Sequence, residues 1–274
     1  LAKVGTMKTD VRPRGVLRLT PCTYGLSKIP FRWPMRPTDG RFVAFSGGSE
    51  TFAKYVARPF PDLIETALGE VCVNLGCRSA GPDVFLQDTA VQSLCHDAAA
   101  TVVQVLGAVN QTNPFYKVHP RRNDRFIAPT DKLAALYPEI DFAEISFTGH
   151  LISRLRAVDE VRFGQVQSQL EATWVQRMKA LVGPVKGPVF LLWLAPHSPR
   201  AVADDNAPAL VTRDMLEALR PYVADIIEVC VPSGKTEGMC FAPLEALTAG
   251  DAFGSNAHFA CAKALCAPLR HALD

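Results

Sequence analysis

Short, continuously apolar runs separated by helical patterns constrain this chain more than any other feature. Arg41–Phe45, Val71–Leu75, Thr101–Leu106, Val189–Leu194 and Ile226–Val231 are each about one strand long and rich in Val, Ile, Leu and Phe. A strand that is apolar on both faces must be covered on both faces, which is the situation of a parallel sheet between two helical layers. The intervening segments supply the helices. Val84–Ala98 follows a Gly-Pro-Asp start, residues 131–157 read as helical pieces, and Met215–Leu219 sits in another. In residues 159–182, Phe163, Val166, Leu170, Trp174, Met178 and Leu181 recur at steps of three and four. A last helix starts at Ser255. Right-handed crossovers then predict an α/β three-layer sandwich around a doubly wound, mainly parallel five-stranded sheet. Residues 107–130 are predicted to be an irregular polar loop that, with the helical segments to about 157, forms an insertion.

Composition narrows the class. With 48% hydrophobic and 20% charged residues among 274, the chain is neither disordered nor fibrous. Its longest apolar run, Val189–Pro196, falls far short of the about 18 residues of a membrane span. The formal charge of +2 hides an asymmetry: residues 1–41 hold nine Lys or Arg against Asp10 and Asp39, and the remainder is net acidic. Residues 1–40 therefore read as a basic, proline-rich arm on a single domain spanning 41–274. The arm could meet phosphates or an acidic partner, or lie across its own acidic domain. Eight cysteines, without a C-x-x-C pair or a visible leader, read as core residues in a reducing, cytoplasmic setting. The chain opens on Leu, and Met7 is a candidate first residue.

In doubly wound sheets, ligands bind beyond the carboxyl ends of the strands. The first such loop is Ser46-Gly47-Gly48-Ser49-Glu50-Thr51. Ser49 is there a candidate nucleophile, a member of a phosphate cradle, or simply the N-cap of the next helix. Neither glycine-rich nucleotide fingerprint is present, so nucleotide binding has little support. A second candidate is Lys117–Arg125, with four cations and one acid, in which Arg121 and Arg122 suit an anionic group. A structural loop whose arginines pair with acids of the body is the competing reading. One short patch without a basic helix argues against nucleic acid.

The segments Phe45–Thr51, Arg58-Pro59-Phe60-Pro61-Asp62-Leu63-Ile64-Glu65 and Val73-Asn74-Leu75-Gly76, followed by Val105–Asn110, resemble the ordered blocks of the SGNH (GDSL-type) hydrolases over residues 42–110. The remainder is similar to a bacterial offshoot family of unknown function, through Tyr24-Gly25-Leu26-Ser27, Phe31-Arg32 and His119–Asp124. The resemblance implies a flavodoxin-like fold and a serine ester hydrolase or acyl-transfer enzyme. Ser49 would be its nucleophile. The Ser49 and Gly81 backbone N–H groups and the Asn110 side chain would form the oxyanion hole, with Ser79 at the nearer position. His258, or failing that His119, would be the base, and Asp251 its orienting acid. His197 is a further histidine beyond a strand end. Arg121, Arg122 and Glu50 would contact an anionic, carbohydrate-linked acyl substrate, with no metal or organic cofactor. Departures from the pattern support a rival expectation. Gly48 stands where the superfamily has Asp, the Gly107-to-Asn110 spacing is one residue longer than the superfamily's G-x-N, and His258 falls inside the last helix. A catalytically degenerate protein that binds an anionic glycan, phosphate ligand or protein partner would carry these departures. Oligomeric state is not legible.

Overall fold

The computed structural model describes residues 16, 17 and 19–274. Met7 and the arm's Lys3, Lys8, Arg12, Arg14 and Arg18 lie outside the described residues. In chain order the elements are β1 (Pro21–Cys22), β2 (Phe31–Arg32), β3 (Phe42–Gly47), α1 (Ser49–Phe52), α2 (Phe60–Leu68), β4 (Val71–Gly76), α3 (Pro82–Leu86), α4 (Thr89–Asp97), β5 (Ala100–Gln104), β6 (Tyr116–His119) and β7 (Arg122–Pro129). They continue with α5 (Asp131–Leu136), α6 (Thr148–Val158), α7 (Glu160–Val182), β8 (Val189–Ala195), α8 (Arg213–Glu217), β9 (Asp225–Cys230), α9 (Ala246–Gly250) and α10 (Ser255–Leu273).

The five apolar runs form one parallel sheet in the order β4-β3-β5-β8-β9. Alternation along β3 shows why it needs two covers. Val43 and Phe45 face a layer that includes Phe60 and Ile64 of α2 and Cys261 and Leu265 of α10. Phe42 and Ala44 face the opposite layer, with Phe85, Phe163, Leu170 and Trp174. The sheet is thus mainly parallel, five-stranded and flanked by helices on both sides. The chain steps from β3 to β4 and returns past β3 to β5, so the winding direction reverses between β3 and β5. That reversal opens a crevice at their carboxyl ends.

Two segments differ from the expected elements. Val84–Ala98 is two helices, because Asp88 accepts a hydrogen bond from the Val91 N–H and caps α4 afresh. The 107–130 segment is partly ordered as an antiparallel hairpin, with irregular register between Lys117 and His119. In the described part of the arm, Arg36 pairs with Glu65 at 3.0 Å, and at the start of the domain Arg41 pairs with Glu70 at 3.6 Å. The buried Arg32 guanidinium donates to the carbonyls of Phe52, Ala53, Val56 and Ala57. All eight cysteines are free, six of them buried. No described helix is long and apolar enough to cross a membrane.

Candidate active site

The turn beyond the carboxyl end of β3 is organised by one buried side chain. Gln104, the last residue of β5, accepts hydrogen bonds at Oε1 from the Gly48 N–H (3.0 Å), the Thr51 N–H (3.1 Å) and the Thr51 hydroxyl (2.6 Å). Its Nε2 donates to Glu50 at 2.7 Å. Asn74 of β4 donates to the Thr51 carbonyl and accepts from the Gly76 N–H. These bonds tie α1 onto the strand ends and set Ser49 at its first position, with Gly48 rather than Ser49 as the N-cap. They also correct the phosphate-cradle reading, since two N–H groups such a cradle would use are spent on Gln104. The partner of Ser49 Oγ among the described residues is the Ser79 N–H, at 3.3 Å. Ser79 holds a left-handed backbone (φ 58°) to present it.

The resemblance-derived oxyanion donors are placed elsewhere. The Gly81 N–H donates to Asn123 Oδ1 at 2.8 Å, and the Val84 N–H to the same oxygen at 3.2 Å. Asn110 Oδ1 accepts from the Thr148 hydroxyl at 2.6 Å. Gly81 is required where it stands: a Cβ there would lie 1.5 Å from the Asn110 carbonyl oxygen. Neither residue borders the cavity that contains Ser49, whereas Ser79 does.

That cavity is about 650 Å³ and brings together Ser49, Glu50, His119, Arg121, Arg122, Asp251 and His258. Both histidines, however, are held in the wrong form for a base. A backbone N–H can only donate, so a ring nitrogen that receives one carries a lone pair, and the proton of the neutral ring sits on the other nitrogen. His258 Nδ1 accepts from the Phe60 N–H at 3.1 Å. His119 Nδ1 accepts from the N–H groups of Arg121 and Arg122, both at 3.2 Å. Each ring therefore carries its proton on Nε2. Burial, with Arg32 nearby, pushes the His258 pKa down to about 3, which keeps the ring neutral. His258 Nε2 is buried without a partner. Asp251 is exposed on the cavity wall and makes no hydrogen bond to His258 among the described residues. In His197 the arrangement is opposite, with Nδ1 donating to the Ser198 carbonyl, but that residue does not line the cavity.

What the cavity holds in abundance is positive charge. Lys28, Lys54, Arg78, Arg121 and Arg122 line it, against Glu50 and Asp251. Lys54 pairs with Glu245 and Arg122 with Asp124. Lys28, Arg78 and Arg121 have no acidic partner among the described residues, so the structural-loop reading accounts for Arg122 alone of the two hairpin arginines that line the cavity. Sequence reasoning missed Lys28, Arg78, Gln104 and Asn123. Gln104 had a signal: it is the one amide ending an otherwise apolar strand at the point where the winding reverses. Lys28 and Arg78 had none, because nothing local says that their loops meet.

The family described as Domain of unknown function (DUF6473) matches residues 7–273. The chain belongs to this family. No curated protein matches it. Among solved structures, this DUF6473 chain is similar to the lipase Lip_vut3 from a goat rumen metagenome, at 12% identity and a TM-score of 0.44, over 83% of this chain and 97% of that one.

Proposed function

We propose that this DUF6473 protein binds an anionic ligand in the cavity beyond the carboxyl ends of β3 and β4. The observation that carries this reading is the donor set. Three cations without an acidic partner among the described residues and two imidazoles, each with its proton on Nε2 and its Nδ1 lone pair engaged by backbone N–H groups, border one cavity, so none of these five groups as bonded here offers a free lone pair to a serine hydroxyl. Buried or clamped donors suit carboxylate, sulfate or phosphate oxygens. Calorimetric titration with inorganic phosphate, sulfate and citrate at low ionic strength tests it. At least one should bind, about tenfold more weakly in Arg121→Ala and Arg78→Ala and more weakly with added salt. Absence of binding by all three, or binding indifferent to both substitutions, would overturn it.

One contact favours a second reading, the serine ester hydrolase or acyl-transfer enzyme. The Ser79 N–H lies 3.3 Å from Ser49 Oγ, where, with the Ser49 N–H, it could hold an oxyanion. For that chemistry one imidazole must release its backbone donor and turn its lone pair to Ser49, since a serine without a base is a poor nucleophile. Fluorophosphonate labelling of the folded wild type, lost in Ser49→Ala, would establish it. No labelling would leave the anion-binding reading alone. We also read residues 1–40 as an arm laid on a single domain, a view supported by the Arg36–Glu65 pair and by the bonds from Arg32 to the Ala53 and Val56 carbonyls.

A further inference from the structure

A second cavity of about 530 Å³ adjoins the first, and Lys28 and Arg121 line both. Each volume suits one small ligand, and together they exceed what one such ligand fills. The two shared cations stand on fixed backbone. Lys28 is exposed between the buried Ser27 and Ile29. Ser27 donates to Asp88 Oδ2 at 2.7 Å and accepts from the Ile29 N–H at 3.1 Å, which ties this turn to the start of α4. Arg121 sits at the hairpin tip, its own N–H held by His119. Cations on a pre-ordered backbone lose less freedom when they bind. Asp88 also lines the second cavity, its oxygens engaged by Ser27 and by the Val91 N–H, and its single negative charge is outnumbered there by Lys28 and Arg121.

The character of the second cavity narrows the ligand. Gln87 and Thr89 present uncharged donors and acceptors, with no side-chain partner among the described residues, beside Ile29 and Val84. No aromatic side chain lines it, so it has no platform for a nucleobase. No strand borders it either, so an extended peptide could not pair with its backbone. Hydroxyl groups flanking a carboxylate or sulfate satisfy this combination of amide, hydroxyl and cation.

We propose that the two cavities are successive subsites of one groove for an acidic oligosaccharide, with Lys28 and Arg121 gripping an anionic group at their junction. This rests on the anion-binding reading of the first cavity. The test is calorimetry with galacturonate, tetragalacturonate and a tetraglutamate peptide, on the wild type and on Thr89→Trp, which fills the second cavity from an exposed position. Tetragalacturonate should bind at least about tenfold tighter than the monomer, and Thr89→Trp should erase that advantage. Equal affinity for monomer and tetramer, or no effect of Thr89→Trp, would overturn the two-subsite groove and leave the anion site standing. Tighter binding of tetraglutamate than of tetragalacturonate would overturn the saccharide assignment. Failure of the monomer, the tetramer and inorganic anions alike would instead overturn the reading on which the groove rests.

Discussion

The turn that carries Ser49 and the hairpin that carries Arg121 border the same cavity, yet they are held in opposite ways. The turn is secured from beneath: Gln104 gathers three donors at one buried oxygen, and Asn74 bonds to the α1 backbone. The hairpin is secured at its base. Buried Asn123 accepts from Gly81 and Val84 and donates to the His119 carbonyl, while the Arg121 and Arg122 side chains reach solvent. The difference separates two tasks. The strand ends supply a fixed seat for one hydroxyl, and the loops supply the charges around it. A fold of this type can therefore keep its serine turn intact while the chemistry around it changes.

The largest expected effect strikes the turn alone. Gln104→Leu removes one acceptor from three buried donors and the donor from Glu50, so it should destabilise the protein by about 4 kcal/mol in urea denaturation, since each orphaned buried group costs about 1–3 kcal/mol and the losses overlap. A loss under about 1 kcal/mol would mean that the turn is not held from beneath. Asn123→Ala should cost less, about 2 kcal/mol, because water can reach part of the hairpin. Its signature is local. Hydrogen exchange should accelerate at residues 119–122 and at the start of α3, with the Ser49 turn unchanged. Acceleration at both would erase the distinction between the two regions.

His258 gives a pH-dependent test from below the turn. Its folded pKa, about 3, lies under the ordinary 6.5, so protonation favours the unfolded chain. Its contribution is fully present above pH 6.5 and is lost as pH falls toward 3, by about 1.4 kcal/mol per pH unit. The wild type should lose stability over that window faster than His258→Gln by this slope. Parallel curves for the two proteins would show that the imidazole is not buried neutral.

Much of the fold was legible because its cause is local. The apolar strands announce a sheet covered on both faces, and the three-and-four spacing from Phe163 to Leu181 announces α7. The break at Asp88 was harder to see, since a capping aspartate inside a run of helix formers looks like a surface residue. The hairpin was hidden by its polar, irregular strands. At the site, the sequence pattern puts Ser49 on a strand-to-helix turn and His119 on the same sheet edge, and the structure brings His119, His258 and Arg121 to the cavity that Ser49 borders. The pattern could not give the protonation of the histidines. His258 is fixed by an N–H that lies 198 residues away in the chain, and no spacing rule encodes such a meeting. The tautomer decides between base and donor, so this part of the functional reading depends on tertiary structure.

The smallest effect tests whether the Ser79 N–H matters where it points. Ser79 has a φ of 58°, a conformation that glycine adopts without penalty. Ser79→Gly keeps the N–H and relieves the strain, while it loosens the unfolded chain, so stability should change by less than about 1 kcal/mol in either direction. Ser79→Pro removes the N–H and cannot take the angle. If the N–H serves the ligand of the Ser49 cavity, citrate or phosphate affinity should survive in the glycine variant. If instead the serine hydroxyl is what contacts the ligand, the glycine variant should lose affinity with its stability intact, and the backbone assignment fails. Because the expected stability change is small, any loss of binding in Ser79→Gly reports on the site and not on the fold.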